Sequence, residues 1–167
     1  TYYAVAEAGY SYSTEQDGYY SSRKYNTLAA AEAALPATAT TPLVINILGA
    51  WASAETGDVG FSEVATTAAN YILVRTLGAA RHSGVWNNSA YRIMESDDWG
   101  HAFYSTIDYI TVDGLQIRNV SSNYAAIGMF LDPSDSGPKR KFIGVGLNGV
   151  YAIRSPYHGW RAGYCRR

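Results

Sequence analysis

The sequence predicts an all-β chain with one short helix near its N-terminus. Short runs rich in Val, Ile, Leu, Phe and Tyr recur at 43–48, 71–76, 91–94, 109–112, 115–118, 127–131, 142–145 and 150–153, and most are separated by turns containing Gly, Asn, Asp or Pro. The composition adds 15 Tyr, 4 Trp and 16 Gly, a skew towards strands and tight turns. No helical period of about 10–15 residues separates the runs, which sets aside a doubly wound α/β arrangement. At 167 residues the chain is expected to form one domain that buries a core without disulfide or metal staples.

In chain order, residues 1–25 mix Tyr, Ser, Gly and acidic residues without a sustained period, which predicts an irregular or hairpin-like arm packed by its tyrosines. Residues 26–41 hold a helix and a linker. Asn26 or Thr27 can cap this helix, the alanines propagate it and Pro36 stops it. At about 8–9 residues it needs tertiary support. Leu28, Ala31 and Leu35 form one apolar stripe suited to covering the open end of a sheet. Residues 42–167 carry the strand runs.

Residues 109–119 bear on how those strands connect. Ile110, Val112, Leu115 and Ile117 alternate on either side of Asp113-Gly114. In a hairpin this pair reverses the chain; in a β-solenoid it only bends it, and all four side chains point into one interior. The local pattern permits both a sandwich and a solenoid.

The stretch ITVDGLQIRN at 110–119 resembles the corner phrase that recurs in right-handed parallel β-helix proteins. The stretch RHSGVWN at 81–87, ahead of Tyr91-Arg92-Ile93, is similar to N-terminal regions of β-helix-repeat proteins of phages and surface-associated bacteria. The resemblance covers roughly residues 25–120. It implies a short right-handed parallel β-helix with an N-terminal capping helix, located on a virion surface or outside the cell; an antiparallel β-sandwich is the alternative. Solenoid ends expose apolar cross-section and unpaired strand edges unless they are covered. Residues 160–167, WRAGYCRR, look like a strand entering a further coil, so that end is expected to meet a partner or to continue.

The net charge of −1 hides a split. Residues 1–135 hold 6 basic and all 14 acidic residues, a net −8, whereas residues 136–167 hold 7 basic residues and no acidic one. Such ends are complementary head to tail, and heterologous contacts build filaments when the rotation does not close. The basic end offers Arg154, Arg161, Arg166 and Arg167 as assembly residues. The pI of about 6.2 argues against a dedicated nucleic-acid binder. No apolar run approaches the roughly 18 residues that span a bilayer, so no membrane association is expected. The single cysteine, Cys165, excludes an internal disulfide and a multi-cysteine zinc site.

Candidate chemistry is sparse. Asp97, Asp98, Asp108 and Asp113, with Arg92, Arg118 and His101 near them in sequence, would be the material for acid–base or metal chemistry, but their positions favour ordinary turn roles. His82, His101 and His158 form no zinc-binding pair, and no Gly-x-Ser-x-Gly elbow occurs. Gly144, Gly146 and Gly149 match Gly-x-Gly-x-x-Gly, yet Val150-Tyr151 follows instead of a helix that could hold a pyrophosphate. Trp51, Trp86, Trp99, Tyr104 and Trp160 flank turns and could stack on sugar rings or on a partner subunit; filling a Tyr-rich core is the competing reading. The expectation is a non-enzymatic structural protein that assembles with copies of itself, with no catalytic residue, metal or cofactor. A carbohydrate-active β-helix (lyase or hydrolase), its N-terminal part, or a glycan-binding module is the alternative.

Overall fold

The computed structural model describes residues 1–96 and 100–120 and, beyond them, the backbone of five strands. The chain begins with β1 (Tyr2–Ala6), α1 (Thr14–Tyr20), β2 (Lys24–Tyr25) and α2 (Leu28–Ala33). Next come β3 (Leu43–Leu48), β4 (Glu55–Thr56), β5 (Val59–Phe61), β6 (Ile72–Thr76) and a 3-10 turn at Gly78–Ala80. They are followed by β7 (Arg92–Glu95), β8 (His101–Ser105), β9 (Ile110–Asp113) and β10 (Gln116–Asn119). The five later strands are β11 (Ile127–Leu131), β12 (Arg140–Ile143), β13 (Gly146–Asn148), β14 (Ile153–Ser155) and β15 (Gly159–Arg161). The described chain is thus mostly strand, with two short α-helices.

The strands form parallel sheets. Among β3–β13 the ladders join strands that lie three apart along the chain, giving β3-β6-β9-β12, β4-β7-β10-β13 and β5-β8-β11. β1 and β2 extend the first ladder to the order β12-β9-β6-β3-β1-β2. Register puts Tyr3, Ile45, Val74 and Val112 in one file and Leu43, Ile72 and Ile110 in another. All seven side chains are buried in the main core, so like residues stack on their ladder neighbours. Parallel pairing rules out the antiparallel sandwich; only β14 and β15 pair antiparallel among the described strands.

The Asp113-Gly114 corner bends the chain. β9 pairs with β6 and β12, and β10 with β7 and β13, so the strands flanking the corner belong to different sheets. Ile110, Val112, Leu115 and Ile117 are all fully buried in one cluster. Gly114 sits at φ +81°, the left-handed region that favours glycine. The Thr76 hydroxyl donates to its carbonyl at 3.0 Å, and Asp113 pairs with Arg81 at 2.6 Å.

Residues 1–25 depart from the expected irregular or hairpin-like arm. β1 is an inner strand between β2 and β3. Tyr3 and Val5 enter the main core, while Ala4 and Ala6 join Tyr20 and Leu48 in a second cluster against Tyr10, Tyr12 and Leu77. A strand buried on both faces reads as an unbroken apolar run, so TYYAVA shows no alternation. α1 supplies the outer cover. Ser13 and Gln16 form a reciprocal capping box at its start, and the buried Tyr20 hydroxyl accepts from the Asn46 amide at 2.9 Å.

α2 starts at an expected cap, where the Thr27 hydroxyl accepts from the Ala30 amide, but it ends at Ala33, six residues rather than the expected length of about 8–9, two positions before Leu35 and ahead of Pro36. Leu28 and Ala31 are buried and Leu35 packs against the same core. The β4 residue Glu55 grips its first turn. One Glu55 oxygen accepts from the Leu28 amide and the Tyr91 hydroxyl, each at 2.7 Å, and the other from the Ala29 amide at 2.9 Å. Burial, reinforced by the Glu55 charge, pushes the Tyr91 phenol well above its usual range.

Other buried polar groups hold loops. The Arg92 guanidinium donates to the carbonyls of Trp51, Asn88, Ala90 and Ala52. The Gln116 amide donates to the carbonyls of Asn87 and Tyr91 and accepts from the Asn87 amide.

Candidate functional site

Among the described residues a cavity lies on the outer side of the β5-β8 strand pair. Val59 and Phe61 of β5 and Ala102 and Phe103 of β8 turn into the core. Gly60 and Tyr104 are register partners left half-buried on the other side. The Tyr104 ring lies over Gly60 so closely that a Cβ there would sit 1.9 Å from the tyrosine Cζ. Glycine at this point therefore lets the ring lie against the sheet.

The end of α2 faces this ring. A cavity of about 370 Å³ is walled by Tyr104, Gly60, Leu35 and Val64, with Glu32 and Glu63 at its polar side. Backbone bonds tie the two walls together: the Ala39 amide donates to the Ala65 carbonyl at 2.9 Å, and the Ala65 amide to the Ala37 carbonyl at 2.8 Å. Burial, and to a lesser degree the neighbouring Glu63 charge, raises the Glu32 carboxyl above its usual range. The ion pairs formed among the described residues are Lys24–Asp17 and Arg81–Asp113, so neither cavity carboxylate is neutralised by a basic side chain there.

Of the sequence-predicted aromatic residues, Trp51 is corrected by its position. It is 4% exposed, its indole donates to the Leu48 carbonyl at 3.1 Å, and its ring meets Tyr91 edge-on at 4.8 Å. A ring enclosed in this way fills the core and presents no face to a ligand. Trp86 is half-buried in the 81–90 loop, where its indole donates to Asn88 at 2.8 Å and the Arg118 guanidinium lies 5.9 Å from its ring. Tyr104 walls the cavity, and Trp86 does not. Trp99, Arg166 and Arg167 lie outside the described residues. Arg154, Arg161 and Trp160 are placed by backbone alone, Arg154 opposite Trp160 in the β14–β15 pair.

The other candidates are dispersed. Asp113 is joined to Arg81, and the Asp108 carbonyl accepts from the Thr66 hydroxyl at 2.6 Å. His82 accepts from the Gly84 amide at 3.0 Å, and the His101 backbone amide donates to Asp58 at 2.8 Å. Asp97, Asp98, His158 and Cys165 lie outside the described residues. No group of three metal-binding side chains occurs among the described residues. Residues 146–148 of the glycine run form β13 beside β10. Sequence reasoning missed Glu32 and Glu63, because each sits in a segment without a local motif and only the fold sets them against one cavity.

Fold and site together define a protein of parallel ladders, with a short helix docked near its N-terminus and an acidic, aromatic-walled cleft on one sheet. No protein-family model, curated protein or solved structure matches the chain. Among the described residues no helix is long and apolar enough to cross a membrane.

Proposed function

We propose that the chain is a right-handed parallel β-helix acting as a non-enzymatic structural protein of a virion appendage, capsid surface or extracellular filament, and that it assembles with copies of itself through its ends. The observation that carries this reading is the parallel pairing of strands three apart across β3–β13, beside a helix that touches the terminal strand of every ladder. α2 packs on β2 and β5, and Glu55 of β4 holds its first turn. Strand edges at that end are thereby covered, as a stack of coils requires. The acidic N-terminal four-fifths and the basic remainder, with Arg154, Arg161, Arg166 and Arg167, supply complementary surfaces for head-to-tail contact.

Negative-stain imaging at low salt and at about 1 M salt tests this, because the screening length falls to roughly 3 Å at the higher concentration. Rods or rings that shorten in high salt support the reading; monodisperse monomers at both concentrations refute it. The carbohydrate-directed alternative, whether enzyme or binding module, draws on Tyr104 beside two carboxylates. Cleavage or retention of a polysaccharide by the same protein would favour it.

A further inference from the structure

We propose that the cleft between α2 and the β5-β8 strands binds a small organic cation, an alkylammonium or alkylguanidinium group held by Glu32 and Glu63 with its charge against the Tyr104 ring. This does not depend on the assembly reading. The half-buried Glu32 and the exposed Glu63 line one cavity without a basic partner among the described residues. Their mutual repulsion, felt at Glu32, is relieved by a cation and left in place by a neutral ligand. The Tyr104 ring, laid over Gly60, adds an aromatic wall whose quadrupole attracts positive charge. Leu35 and Val64 can take an alkyl stem, as the apolar walls of small-molecule sites do.

The donor set also discriminates between cations. A hard metal ion would have to draw most of its roughly six oxygens from water, leaving the Tyr104 ring and the Leu35 and Val64 walls unused. A guanidinium presents five N–H donors in a planar fork and can engage both carboxylates at once.

Calorimetric titration at neutral pH and low salt with argininamide, and with glucose as the neutral control, tests the assignment. Saturable argininamide binding is expected, weakened about 10-fold or more by Glu32→Gln with Glu63→Gln, since charge-assisted bonds become neutral ones. Tyr104→Leu is expected to weaken it about 3-fold or more, and Tyr104→Phe to preserve it, because the ring and not the hydroxyl carries the attraction. Circular dichroism checks that substitution at the half-buried Glu32 and Tyr104 and the exposed Glu63 leaves the fold unchanged. No saturable argininamide binding, binding indifferent to the double substitution, or glucose binding of equal strength would each overturn the proposal. The double variant also separates two sources of the cation. If it loses both argininamide binding and salt-sensitive assembly, the cation is a basic side chain of a second copy; if it loses binding alone, the cation comes from solution.

Discussion

Glu55→Gln tests whether the N-terminal helix is held from beneath. The carboxylate receives three hydrogen bonds, from the Leu28 and Ala29 amides and the Tyr91 hydroxyl. A glutamine in the same place keeps one acceptor oxygen and turns an NH2 towards donors. The Tyr91 hydroxyl can rotate to accept, but one backbone N–H of α2 is left facing a donor, at a cost of about 1–3 kcal/mol. The surviving bonds lose their charge, and the favourable interaction of an anion with the helix N-terminus, about 0.3–1 kcal/mol, goes with it. A total near 3 kcal/mol is a large share of the roughly 5–15 kcal/mol that keeps a domain folded. With six residues α2 is too short to persist by itself. The expected result is a lower urea midpoint with an unchanged slope, and faster hydrogen exchange at the Leu28 and Ala29 amides than in β6 and β9. Destabilisation below about 1 kcal/mol, or unchanged protection across 28–33, would refute the reasoning.

Two further perturbations probe the corner and the first loop. Gly114→Ala places a Cβ 2.4 Å from the Thr76 hydroxyl oxygen and 2.8 Å from an Arg81 nitrogen, at a φ of +81°. Strain and displaced anchors together are expected to cost about 2–4 kcal/mol, lowering Tm by roughly 5–10 °C; a shift under about 2 °C would mean that the corner yields freely. The Glu7 carboxylate accepts from the Ala52 and Ser53 amides at 3.0 and 2.8 Å, and these bonds, chiefly that from Ala52, hold its carboxyl below the usual range. A lowered folded-state pKa contributes stability that is complete above the unfolded value of about 4.3 and disappears as pH falls through the folded one. Glu7→Gln is therefore expected to be less stable than the parent chain at pH 7, with the gap closing in acid; a gap that stays constant down to pH 2 would contradict the assignment.

Much of where the strands fall along the chain is legible without coordinates, because it depends on near neighbours. Leu43–Leu48 is an apolar run between Pro42 and Gly49, and its bounds are those of β3. The cap at Thr27 likewise marks the start of α2, which ends at Ala33, short of the stop that Pro36 suggests. Other elements lack that local contrast. β4 has two residues and β5 interrupts its apolar pair with Gly60, while β1 is apolar on both faces. The Asp113-Gly114 pair reads as a corner, but reversal and bend share one local pattern, and only the ladder partners of β9 and β10 distinguish them.

The same limit applies to the site. Trp51 flanks a turn, which suggests exposure, yet contacts with Leu48 and Tyr91 enclose it. Glu32, Glu63 and Tyr104 come from a helix end, the residues after β5 and a later strand. What the amino-acid order determines by itself is where the chain extends, turns and coils, since those choices rest on residues a few positions apart. Which strands become neighbours, and so which carboxylates meet an aromatic ring, is decided by tertiary structure, because a parallel partner is chosen by the shared burial of files such as Ile45, Val74 and Val112, three strands apart in sequence.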